Sequence, residues 1–161
     1  MTLSPVSRLP RPSTWFVWHG HRLRSGMRVL DLACGEGRHS LAAAALGAHV
    51  TAVDRDEERL ATARELAQER GFEVDWRVAD LEGPWPELVA QLAPGGFLMM
   101  ETFLLAQREL GWGPTSDDHL LRPGELAGLV APLTIVHGRE VLEAIDAERW
   151  RAVASVLAVK K

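Results

Sequence analysis

Tyrosine is absent from this chain of 161 residues, and cysteine occurs once, as Cys34. One cysteine excludes an internal disulfide and a clustered-cysteine zinc site. Lysine occurs only at the end, as Lys160 and Lys161, a solvated tail. The formal net charge is −4, which speaks against a basic nucleic-acid or membrane surface. No apolar run reaches transmembrane length, and the first residues lack the apolar core of a signal peptide. A cytoplasmic protein is expected, with neither nucleic acid nor membrane as partner. His19 and His21 stand two apart and share no helical face, so they do not read as a metal pair. Asp117, Asp118 and His119 lie in a polar loop, and no metal is expected there either. What the chain does have is apolar content, 47% with six tryptophans. That suffices for one core, and the length fits a single domain spanning 1–161.

The chain is organised around residues 28–56, which read RVLDLACGEGRHSLAAAALGAHVTAVDRD. Residues 28–32 are a short apolar run of the buried parallel-strand type. Residues 33–37, Ala-Cys-Gly-Glu-Gly, form a turn of small residues where backbone can approach a ligand. Residues 38–46 are rich in alanine and leucine and predict a helix, which Gly47 ends. Residues 48–53 predict a second buried strand, closed by Asp54. This is a nucleotide-type strand–helix–strand unit, with N–H groups of the turn and helix start facing the ligand. An acid ending the second strand can accept hydrogen bonds from two ribose hydroxyls. The dinucleotide fingerprint G-x-G-x-x-G fails at its third glycine, because Gly37 is followed by Arg38, His39 and Ser40. A hydride-transferring nucleotide enzyme is disfavoured for that reason.

The run D-L-A-C-G-E-G-R-H resembles motif I of the class I S-adenosylmethionine-dependent methyltransferases. Asp54 in T-A-V-D-R-D resembles the acid of their motif II. Among them the pattern is most similar to the small single-domain group that includes the tellurite-resistance methyltransferases. The resemblance implies a Rossmann-like α/β fold of three αβα layers, with S-adenosyl-L-methionine as cofactor. It implies cofactor contacts from Asp31, Ala33, Gly35, Gly37, Asp54 and Arg55. It further implies that Asp80 meets the adenine amino group and that Leu81 flanks the ring.

Around that unit the chain is read in order. Pro12 precedes a short helix over Ser13 to Arg22, carrying Trp15, Phe16 and Trp18; residues 1–24 form the lead-in. This helix reads as an aromatic face packed on the sheet or as a lid over the site. Asp56 caps a helix over Glu57 to Arg70, with Leu60, Ala63 and Ala67 on one face and Gly71 after its end. Glu73 to Ala79 suits an edge strand. Leu81 to Gly95 is then only fifteen residues long. The resembled fold places a helix, a fourth strand and another helix there, and Pro84 and Pro86 forbid a central strand. One short helix, Glu87 to Leu92, remains. The expected sheet therefore has six strands in the order 3-2-1-5-7-6, the last antiparallel, with exposed edges through which a homodimer could form.

The remaining elements are a buried strand at Phe97 to Glu101, a helix from Pro123 to Val130, a strand at Leu133 to Val136 and a final strand at Arg151 to Val159. Residues 140–146 read as a strand extension or hairpin. Residues 103–121 form a long loop of the kind that makes a lid, and E-T-F before it with L-L-R-P-G-E-L after it match the resembled group. The function implied is methyl transfer from S-adenosylmethionine to a small molecule. The alternative is a degenerate, catalytically weak or inactive domain that binds the cofactor or a partner protein. No catalytic residue stands out; His19, Glu101 and His119 are the candidates for a base. The D/N-P-P-Y/F motif of nucleic-acid amino-methylating enzymes is absent.

Overall fold

The computed structural model describes residues 9–80 and 85–161, with the side chains of the latter stretch described from residue 87. The chain divides into two compact units, Met1–Glu82 and Gly83–Lys161.

The first unit is built on a parallel three-stranded sheet. Its strands are β1 (Arg28–Leu32), β2 (His49–Asp54) and β3 (Val74–Val78), in the order β1-β2-β3. The ladder runs from Arg28↔His49 to Leu32↔Val53, and from Val50↔Val74 to Asp54↔Val78. Helix α1 (Thr14–His19) precedes it, and a 3-10 turn at Gly20–Arg22 completes the predicted segment. Helix α2 (Arg38–Ala45) follows the glycine turn, and α3 (Glu57–Arg70) links β2 to β3. The bounds of α3 are those the sequence predicts, for a local reason. The Asp56 side chain accepts the N–H groups of Glu58 and Arg59 at its start, and Gly71 adopts a left-handed φ of 67° at its end. Leu60, Ala63 and Ala67 are its buried face.

The second unit holds α4 (Trp85–Gln91), β4 (Phe97–Leu104), β5 (Leu120–Leu121), α5 (Glu125–Leu129), β6 (Thr134–Ala144) and β7 (Trp150–Val159). Its sheet order is β5-β4-β7-β6. β7 runs antiparallel to both neighbours, and β5 parallel to β4. One face of this sheet carries Leu104, Ala152, Ala154, Val156 and Ala158, packed with Val89, Leu126, Val130 and Leu133.

Both runs of the expected order, 3-2-1 and 5-7-6, are present, the latter as β4-β7-β6. The single six-stranded sheet is corrected in two respects. There are seven strands among the described residues, and their hydrogen-bonded ladders form two sheets. The added strand arises because the returning chain at Leu120–Leu121 pairs with Phe103–Leu104. No strand is described between β3 and β4, in keeping with the short interval and its prolines. The strand expected at Leu133–Val136 extends to Ala144, because it pairs with β7 from Thr134↔Val159 to Ala144↔Trp150, with one bulge between Ile135 and His137.

The expected long loop, 103–121, is largely structured. β4 continues to Leu104, a 3-10 turn covers Leu105–Leu110, and another covers Asp117–His119. Gln107 is fully buried and holds the segment: its amide donates to Trp112 O at 2.8 Å and accepts from Ala152 N at 2.9 Å. Burying a polar amide with both ends satisfied avoids the cost of orphaned groups.

Candidate functional site

The end of β1, the turn after it and the end of β2 converge within the first unit. Cys34 N–H donates to Val53 O at 3.1 Å, which ties the turn to β2. Gly37 N–H donates to Cys34 O at 2.9 Å and closes the turn. Ala33 has φ 55° and is the only described non-glycine residue with positive φ. A side chain in that region costs roughly 1 kcal/mol, and such strain gathers at ligand sites. Ala33 is also exposed, so its backbone is open to approach. Gly35 has φ 56°.

Gly37 has a different task. It has φ 74° and is the residue before α2. A Cβ there would stand 2.6 Å from the ring of Trp76 on β3 and 3.2 Å from Cβ of Ala63 on α3. The missing side chain lets the start of α2 pack close to the neighbouring strand and helix. That close packing is the duty the fingerprint assigns to its third glycine. Here the second glycine of the turn performs it.

Asp54 is buried at 9% exposure. One of its carboxylate oxygens accepts Gly35 N–H at 2.7 Å, and the other accepts Asp56 N–H at 2.9 Å. A carboxylate has about four acceptor positions, so about two remain for a ligand. Asp31 accepts the Ser40 hydroxyl at 2.6 Å, which joins β1 to the first turn of α2. Burial pushes the Asp31 carboxyl above its ordinary value, and the Asp54 charge adds to this; the Ser40 hydrogen bonds and Arg38 oppose it. Burial pushes the Cys34 thiol up to about 12, with Asp31 and Asp54 adding to the shift. The thiol therefore stays protonated and is no nucleophile.

Of the predicted residues, Asp31, Ala33, Gly35, Gly37 and Asp54 come together in this cluster. Arg55 follows Asp54 in the chain and is exposed. Asp80 is exposed just beyond Ala79, whose N–H donates to Asp54 O at 3.0 Å. Leu81 lies outside the described residues.

The candidate bases fare differently. His19 is buried edge-on against Trp15, with ring centroids 4.4 Å apart. His119 is exposed in a 3-10 turn. Glu101 accepts from Arg151 at 2.9 Å, Arg139 at 3.2 Å and Ser155 Oγ at 3.0 Å. Glu143 bridges the same two arginines. Burial raises the Glu143 carboxyl, but hydrogen bonds from Arg139 and Arg151 outweigh this and hold it below its ordinary value. Of the three candidate bases, Glu101 is the one held in an ion-pair cluster on its own sheet, with three of its acceptor positions used. In the loop, Asp117 pairs with Arg108.

Sequence reasoning missed His39 and Arg59. The His39 ring stacks on Phe16 of α1 at 5.1 Å between centroids. Arg59 brings a guanidinium nitrogen within 3.4 Å of where a Gly35 Cβ would stand. The only trace of either in the sequence is proximity to the turn or to the Asp56 cap.

Residues 29–93 match the family model described as a methyltransferase domain. Over this stretch the chain resembles the class I S-adenosylmethionine-dependent methyltransferases, as its motif I and motif II residues predict. A ubiquinone biosynthesis O-methyltransferase of Maricaulis maris is 47% identical over 58 residues, 36% of this chain and 23% of that protein. A protein of the same description from a Caulobacter species is 32% identical, over 70% of this chain and 61% of that protein. Among solved structures, TehB from Haemophilus influenzae has a TM-score of 0.75 at 18% identity, covering 90% of this chain and 61% of that one. That likeness concerns the fold. The chain spans about a quarter of the first curated relatives it matches. The cofactor of this family is S-adenosylmethionine, and the donor set fits it. A buried carboxylate retains acceptor positions beside a turn of small residues whose Ala33 is strained and exposed. No described helix is long and apolar enough to cross a membrane.

Proposed function

We propose that this chain transfers a methyl group from S-adenosylmethionine to a small molecule in the cytoplasm, acting as one methyltransferase domain over 1–161. The observation that carries the reading is Asp54. It is buried at the end of β2, holds the turn through Gly35, and keeps acceptor capacity for paired hydroxyls. In this reading Asp54 binds the ribose, Ala33 and Gly35 bring backbone against the cofactor, and Asp31 fixes the turn through Ser40. Gly37 sets the start of α2, Arg55 and Asp80 flank the nucleoside, and Leu81 borders the base. The bound cofactor supplies an activated methyl group; the chain supplies position and electrostatics.

No residue is assigned as general base. Glu101 is held by two arginines and Cys34 is kept protonated. The acceptor is accordingly a soft or already anionic nucleophile, rather than nucleic acid or membrane. Among the described residues β1 pairs only with β2, and its Leu30 is 55% exposed. That supports self-association through a strand edge.

Calorimetric titration with S-adenosylmethionine and its demethylated product, with solution mass measured in parallel, tests the reading. Micromolar binding is expected, with a mass of twice 17.7 kDa. Absence of binding at millimolar cofactor would sink the methyl-transfer reading and leave a domain that acts through its surface.

A further inference from the structure

One side chain ties the helix before the motif to the helix after it. His39 is the second residue of α2. Its Nε2 lies 3.1 Å from Ser13 N and 3.2 Å from Ser13 Oγ. Ser13 is the N-cap of α1, and its Oγ accepts Phe16 N–H at 3.2 Å. The Phe16 ring lies nearly parallel to the imidazole, at 11°. Ser13 is 5% exposed. One imidazole therefore meets both the cap of α1 and a ring in its first turn.

The bond has a direction. A backbone N–H can only donate, so Nε2 must offer its lone pair, and the ring proton is assigned to Nδ1. A second ring proton, on Nε2, would oppose the Ser13 N–H donor and place charge in a buried setting. From α1 the imidazole faces Ser13 and Phe16, neither of which is charged; from its own helix it faces Arg38. Burial first, and the Arg38 charge second, hold its pKa down to about 4.

We propose that His39 is a positioning residue that latches α1 to the first turn of α2 and so fixes the wall beside the glycine turn where the nucleoside docks. The proposal rests on the S-adenosylmethionine reading for its ligand, but not for its geometry. The backbone of His39 lies two residues from Gly37, at the start of α2, where no side chain caps the helix. Its ring is committed to α1. Releasing the ring therefore loosens α1 and the start of α2.

The test combines amide hydrogen exchange over residues 13–22 with titration of the demethylated cofactor product. The wild type, His39→Gln and His39→Leu are compared at matched pH. His39→Leu removes the acceptor from a buried donor, so exchange should rise and affinity fall by about tenfold. His39→Gln offers an amide oxygen that does not titrate. It should match the wild type near neutrality and keep its protection as pH falls from 6.5 to about 4, the window over which the wild type loses it. Equal protection of wild type and His39→Gln throughout would overturn the latch. So would wild-type protection in His39→Leu, and if that variant fails to fold the glutamine comparison decides. The exchange pattern without any ligand binding upholds the latch and removes the cofactor reading. Binding without the exchange pattern does the reverse.

Discussion

Two pairs of carboxylates, one pair in each unit, are used in opposite ways. In the first, Asp54 and Asp56 accept backbone N–H groups at strand and helix ends. In the second, Glu101 and Glu143 are clamped by Arg139 and Arg151 on the surface of a sheet. A backbone donor satisfies one acceptor position and leaves the charge to be used. A pair of guanidinium groups neutralises the charge and fills the remaining positions. A carboxylate held by N–H groups is poised for a ligand, whereas one held by arginines is committed to the fold.

Substitutions can break this contrast. Asp54→Asn should weaken cofactor binding about 100-fold, roughly 3 kcal/mol, and calorimetry would record it. The fold should survive, since an amide oxygen can still accept from Gly35. Next in size, Gly37→Ala should cost about 2–3 kcal/mol of stability, from its positive φ and the clash with Trp76. Adding Trp76→Leu should recover part of that loss in denaturant melts, because only the ring contact is relieved.

Glu101→Gln should cost about 2 kcal/mol by leaving half-buried arginines under-compensated, without changing cofactor affinity. A change in affinity would place Glu101 at the site. The same clamp has a pH signature. The folded state holds Glu143 below its ordinary 4.5, so this carboxylate's contribution is present above pH 4.5 and is lost as pH falls below it. Acid unfolding should therefore begin earlier in an Arg151→Met variant. At the small end, Asp75→Asn removes only the exposed pair with Arg77 and should leave the melting temperature unchanged.

The sequence made local features readable. The ends of α3 follow from Asp56 and Gly71, and the position of β1 from its apolar run. That no strand is described between β3 and β4 accords with fifteen residues and two prolines. The cluster around Glu101 was hidden because its partners lie 38 and 50 residues away. Nothing near it reveals that two arginines share its face of the sheet. The same distance in sequence hid the Ser13–His39 contact, 26 residues apart. β6 looked short because much of its length is exposed, and exposed strands lack the apolar run that marks buried ones. The strain at Ala33 was equally invisible, since alanine gives no warning of a left-handed backbone.

Gln107 carries a consequence for where a sheet can end. The last rung between β4 and β7 is Phe103↔Val153. The N–H just beyond it, on Ala152, would otherwise look for another strand. It receives the side-chain amide of Gln107, chemically a peptide group without a chain attached. The other end of that amide grips Trp112 O, as a peptide would grip its neighbour. The sheet thus borrows one peptide bond's worth of pairing from a residue outside any strand. A glutamate of the same shape could accept but not donate, and the borrowed rung would lose its second hold.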